Sequence, residues 1–248
     1  MTEEERLWIR RFHQSPEARI RLFCLPHAGG SASYYFPMSR ELTPTVEVLA
    51  VQYPGRQDRR FEAGVDDLHK LADLVFEAIR GLTDRPVAFF GHSMGAALAF
   101  EVTLRLEAKL GISPRHIIVS GRRAPSTFRL EQVHLRDDNG IVAELRDLSG
   151  TTDDMLGDAE ILHMILPAIR TDYRAIETYR GRPDDVVRAP ITVLTGDTDP
   201  RVSLAEAHQW RSHTTGPSEV LVFSGGHFYL NDCRNDVNGI VARILAEA

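Results

Sequence analysis

The sequence predicts an α/β fold, a mostly parallel central sheet flanked by helices, and three observations predict it. Short apolar runs recur at IRLFCLP (20–26), VEVLAVQ (46–52), PVAFFG (86–91), HIIVSG (116–121), ITVLTG (191–196) and EVLVFSG (219–225). Several are apolar throughout, as strands are when helices cover both faces of a parallel sheet. Segments with apolar residues at helical spacing lie between them, and that alternation is the pattern of an α/β sheet. At 248 residues, 43% hydrophobic and 26% charged, the chain has soluble composition and enough apolar material for one domain over 1–248.

The elements follow in order. The N-terminal MTEEERLWIRRF is charged and lacks an apolar signal core, and no stretch approaches the roughly 18 apolar residues of a membrane span. A cytoplasmic location is expected. The strand at 20–26 holds Cys24; with Cys233 it makes only two cysteines, read as structural thiols because they are too few for a disulfide framework or a cysteine-rich metal site. Leu68, Leu71, Leu74, Val75, Ala78 and Ile79 mark a helix beginning near Asp66, and Met94, Ala97, Leu98, Val102 and Leu106 mark a second. Two more helices are predicted around 203–212 and 235–247.

Residues 122–190 break this rhythm, because they separate two strands by far more than the about 2–6 residues usual in α/β units. Their stretch LSGTTDDMLGDAEILHMILPAIRTDYRAIETY carries apolar residues at helical spacing. We read 122–190 as a helical lid insertion over the carboxyl edge of the sheet, with Met155, Leu156 and Leu162 as candidate substrate contacts.

Between a strand and a helix stands GHSMG, residues 91–95. It fits G-x-S-x-G, a turn so sharp that bulky neighbours collide, which holds its serine strained, exposed and at the positive end of a helix. Ser93 is therefore the candidate nucleophile. A serine hydroxyl needs a base, usually a histidine oriented by a carboxylate. Among ten histidines, His227 in FSGGHFYL follows a strand in a glycine-rich loop; His92 adjoins the serine but points elsewhere in such a turn, and His27 is read as structural. TGDTDP offers Asp197 and Asp199 at another strand end, and Asp199 is taken as the acid, with Asp197 bracing the loop.

The order nucleophile, acid, histidine is that of the α/β-hydrolase fold. A tetrahedral intermediate also needs donors for its oxyanion, normally the amide after the nucleophile and one from an early loop. Met94 N–H and Ala28 N–H in LPHAGG are assigned to that task. No metal is called for. With a formal net charge of −6 and no basic tract, nucleic acid is not an expected partner, nor is a membrane.

The chain resembles the type II thioesterases, the stand-alone editing enzymes of polyketide and nonribosomal peptide assembly lines. The resemblance spans nearly the whole length and rests on LFCLPHAGGSA (22–32), QYPGRQDR (52–59), FFGHSMGA (89–96), LPAIRTDYRAIETY (166–179), TGDTDP (195–200) and GGHFYL (225–230), in that order. It implies a helical lid, no cofactor of the enzyme's own, and hydrolysis of acyl groups from the phosphopantetheine arm of an acyl or peptidyl carrier protein. Alternatives are transfer to another acceptor, action on free esters or acyl-CoA with the same triad, and a non-catalytic binding protein of this fold. Carrier proteins as a class are acidic, so Arg56, Arg59, Arg60, Arg122 and Arg123 are candidates for steering such a partner.

Overall fold

The computed structural model describes residues 3–148 and 158–247. The chain enters through α1 (Glu3–Trp8) and a two-residue strand, β1 (Ile9–Arg10). It then alternates β2 (Ile20–Leu25), α2 (Phe36–Leu42), β3 (Val46–Val51), α3 (Leu68–Ile79), β4 (Val87–His92), α4 (Met94–Leu110) and β5 (His116–Ser120). The long excursion follows with α5 (Asp138–Asp147) and α6 (Ala159–Thr178), and the chain returns to β6 (Ile191–Gly196), α7 (Leu204–His208), β7 (Ser218–Phe223) and α8 (Arg234–Glu247). All six predicted strands are present. The predicted helix near Asp66 begins at Leu68, where the Asp67 carboxylate caps the Lys70 amide at 2.9 Å.

The sheet order is β1-β3-β2-β4-β5-β6-β7, parallel except for β1. Strand alternation explains why the runs are apolar throughout. Phe23, Leu25, Phe89 and Val193 point into one core with α3 and α4, while Leu22, Cys24, Phe90 and Leu194 point into a second with α2 and α8. β7 lies at the edge and is only partly buried. Because β3 lies on one side of β2 and β4 on the other, the chain reverses direction between β2 and β4. Their carboxyl ends are the place where an open α/β sheet holds a ligand. No described helix is long and apolar enough to cross a membrane.

A third apolar cluster sits in the excursion: Val133, Ile141, Val142, Leu145, Leu166, Ile169 and Tyr173. The ends of the 122–190 segment belong instead to the body, since Ala124, Tyr179, Val187 and Ala189 pack into the main core. The separate layer is thus α5, the turn before it and α6 as far as Tyr173, since Ile176 already packs into the main core.

Candidate active site

Ser93 stands where β4 becomes α4, with φ 55° and ψ −116°, a strained conformation for a residue with a Cβ. The flanking glycines permit it. A Cβ at Gly91 would lie 2.1 Å from the Gly95 carbonyl oxygen, and one at Gly95 would lie 2.0 Å from that of Leu25. The Ser93 amide donates to the Ser120 carbonyl at 2.8 Å, tying the turn to β5.

The loops after β6 and β7 bring Asp199 and His227 together, both buried. His227 Nδ1 donates to Asp199 Oδ2 at 2.9 Å and approaches Oδ1 at 3.1 Å; the Arg201 amide donates to Oδ1 at 2.8 Å. With its proton on Nδ1, the ring leaves Nε2 as acceptor. Asp197 is exposed and accepts from the Gly225 amide at 2.9 Å, so it holds the histidine loop from outside. Ser93 and His227 line one cavity.

Two further imidazoles pack here. His92 turns its Nδ1 to Ser120 Oγ at 2.9 Å, and that hydroxyl meets Tyr229 OH at 2.7 Å. The His27 ring contacts Tyr34 and Phe228 edge-on at 4.8 and 4.9 Å between centroids. Burial, with repulsion from His227 and Arg56, lowers His27 to about 3, and burial likewise pushes His92 well down. Both rings are therefore neutral near pH 7.

Neither Ala28 N–H nor Met94 N–H meets an acceptor among the described residues, so both amides have capacity for an oxyanion. The loop around Ala28 is fixed by Asp172, which sequence reasoning missed, and by Arg56, which it assigned to another task. Gly29 N–H donates to Asp172 Oδ2 at 2.8 Å, reaching into α6. Arg56 grips the same carboxylate through two nitrogens at 2.6 and 2.9 Å and donates to the Gly30 carbonyl at 3.0 Å. The signal for Asp172 lay in LPAIRTDYRAIETY, where it shares the apolar stripe of Ile169, Tyr173 and Ile176.

These contacts correct the reading of the arginines. Arg56, Arg59 and Arg123 are buried. Arg59 binds Glu62 and the Gln52 carbonyl and lies 4.4 Å from the Trp8 ring centre; Arg123 pairs with Glu131. Of the five, Arg60 is exposed, and Arg122 lines the cavity. Burial and the neighbouring Arg123 lower the Arg122 guanidinium to about 9, so it remains charged at neutral pH.

The cavity holds about 430 Å³. Its apolar wall is Leu145 and Leu148 from the α5 end, with Ile165, Ile169 and Ile176 from α6. Met155 and Leu156 lie outside the described residues. Leu162 is half-buried against the lid's own cluster, and the wall is formed further along the helix.

The chain matches the family model described as a thioesterase domain over residues 20–247. It is 56% identical over 238 residues to a protein named "Probable cadicidin biosynthesis thioesterase" of Streptomyces griseus, covering 96% of this chain and 66% of that protein, just under two thirds. It is 52% identical over 227 residues to thioesterase PikA5 of Streptomyces venezuelae, covering 91% of this chain and 81% of that one. Among solved structures, the type II thioesterase BorB of the borrelidin biosynthetic cluster superposes with a TM-score of 0.91 at 51% identity, over 96% of this chain and 98% of that chain.

Proposed function

The chain belongs to the thioesterase family and has the α/β-hydrolase fold, and from that premise we propose that it hydrolyses acyl thioesters through Ser93, His227 and Asp199. The observation that carries this reading is the buried Asp199–His227 hydrogen bond, 2.9 Å long, at a lid-covered cavity that Ser93 also lines.

In the proposed cycle Ser93 Oγ attacks the thioester carbonyl as its proton passes to His227 Nε2. Asp199 keeps the opposite nitrogen protonated and stabilises the imidazolium. The oxyanion is received by Ala28 N–H and Met94 N–H. The C–S bond breaks, the thiolate takes the proton from His227, and the acyl group stays on Ser93. Water then attacks with His227 as base, releasing the acid and restoring the serine. A thioester has little resonance stabilisation and a good leaving group, so this scheme needs no metal and no cofactor of the enzyme.

We place the substrate on the phosphopantetheine arm of an acyl or peptidyl carrier protein, in polyketide or nonribosomal peptide biosynthesis, where the enzyme edits or releases intermediates. Similarity to a thioesterase named for cadicidin biosynthesis and to the type II thioesterase of the borrelidin biosynthetic cluster supports this setting. Acid release from one acyl-carrier protein should exceed transfer to added acceptors and hydrolysis of the matching acyl-CoA. Dominant transfer would make the protein an acyltransferase, and equal use of the CoA ester a general thioesterase. Ser93→Ala should lower hydrolysis by several orders of magnitude in a folded protein. Near-normal turnover in that variant would remove the nucleophile assignment.

A further inference from the structure

Two arginines follow β5, and they are treated differently. Arg123 is buried, with its guanidinium on Glu131 and on the Thr127 carbonyl. Arg122 lines the catalytic cavity, and among the described residues its guanidinium makes a single hydrogen bond, a long one to the Ile176 carbonyl at 3.5 Å, with Glu131 near enough to act on its charge. A guanidinium carries five N–H donors. The carboxylates on the same wall are engaged by others. Glu131 is held by Arg123 and Arg201, and Glu177 accepts from the amides of Val133 at 2.8 Å and His134 at 3.1 Å. A half-buried guanidinium whose donors are mostly unpaired is costly. This one faces the space where the acyl chain of the proposed substrate would lie.

We propose that Arg122 is a specificity-determining donor for acyl chains that carry an acceptor oxygen beyond the thioester carbonyl, a ketone, hydroxyl or carboxylate. The inference rests on the thioesterase reading above and adds to it the class of acyl group. The cavity then has two functions. The aliphatic wall of Leu145, Ile165 and Ile169 takes methylenes, and Arg122 takes an oxygen, completing a set of donors that the protein itself leaves open. A saturated chain of the same length would leave those donors unpaired, a mismatch that discriminates more strongly than the loss of a methylene.

The test uses N-acetylcysteamine thioesters of four six-carbon acids: hexanoyl, 3-oxohexanoyl, 5-oxohexanoyl and adipoyl. The reading is the ratio of kcat/KM for each oxygenated chain to that for hexanoyl, so general damage to the enzyme cancels. In the wild type at least one ratio should exceed unity, and Arg122→Met should lower it by roughly tenfold or more, as expected for a hydrogen bond to a charged group. Arg122→Lys should regain part of it. Preference for adipoyl would identify an anionic acceptor, and preference for a ketone a neutral one. Ratios unchanged by Arg122→Met overturn the proposal. If that variant does not fold, Arg122→Leu, which likewise has no donor, gives the same reading, and a wild type that favours hexanoyl over all three overturns the proposal without any variant. Hydrolysis of hexanoyl with no oxygen preference sinks this inference alone. Inertness toward all four and toward a hexanoyl carrier protein sinks the thioesterase reading with it.

Discussion

Asp197 and Asp199 stand two residues apart in TGDTDP and meet different parts of the site. The Asp199 carboxylate reaches the His227 ring, and the Asp197 carboxylate reaches the Gly225 amide. Asp199→Asn should therefore lower kcat by about 10⁴-fold, by allowing the wrong tautomer of the histidine, while Asp197→Asn should cost less than tenfold. The reverse ranking in kcat would transfer the acid role to Asp197. His27 gives a prediction in pH. Its folded pKa, lowered to about 3 by burial first, lies below the usual histidine value of roughly 6.5. Between these values the unfolded chain binds more protons, so stability is complete above the window and is lost as pH falls through it. His27→Phe, which can keep the edge-on contacts to Tyr34 and Phe228, should flatten the dependence of unfolding free energy on pH between 6 and 4 by up to about 1.4 kcal/mol per pH unit. Denaturant titrations of both proteins across that range check it, and parallel curves would refute it. The candidate triad was legible because each member sits in a short loop at a strand end, where local pattern carries the message. Arg56 and Asp172 are 116 residues apart, and no local pattern shows that a surface-like arginine is buried on a helix of the lid.

At the scale of elements, α6 is coupled to the loop that would hold the oxyanion. Asp172 accepts from Gly29, Arg56 bridges that carboxylate to the Gly30 carbonyl, and Ile169 Cγ1 lies where a Cβ on Gly29, whose φ is +76°, would be only 2.6 Å away. Movement of α6 must therefore disturb the position of Ala28. Asp172→Asn would leave the buried Arg56 without its countercharge, and breaking such a pair costs about 3–5 kcal/mol. We expect lower stability in urea, and a kcat that falls by more than KM changes, because the amide geometry matters most in the transition state. A rise in KM at constant kcat would mean that the pair only shapes substrate binding. The strands and long helices were legible because each repeats its period several times. β1 has two residues and α2 only two turns, too short for periodicity to register. α5 is missed for another reason: DNGIVAELRD is polar on most of its surface, and its few apolar residues find partners in Val133, outside the helix, and in Leu166, on α6.

At the scale of the molecule, the three apolar cores found among the described residues assign different tasks to different layers. Two hold the sheet between its helices, and the third holds the lid together and supplies Leu145, Ile165 and Ile169 to the cavity wall, to which the main core adds Ile176. Because the lid has its own cluster, its cavity-facing residues can be changed with less effect on the sheet that carries Ser93, Asp199 and His227. The described wall residues Leu145, Ile165 and Ile169 therefore replace Leu162 as the sites at which chain-length preference should be set. Burying each methylene contributes about 0.8 kcal/mol, so contacts with two or three methylenes amount to more than tenfold in kcat/KM. Ile165, half-buried and not bonded to the Asp172 pin, is the best single site. Ile165→Ser should reduce kcat/KM for octanoyl thioesters by about tenfold and for acetyl thioesters by less than twofold, since a two-carbon group gains little from the wall. A panel from acetyl to decanoyl, each as the same N-acetylcysteamine thioester, would show a loss that grows with length up to the depth of the cavity. An equal loss at every length would mean that the substitution loosens the lid as a whole, and the wall would then have no part in measuring the chain.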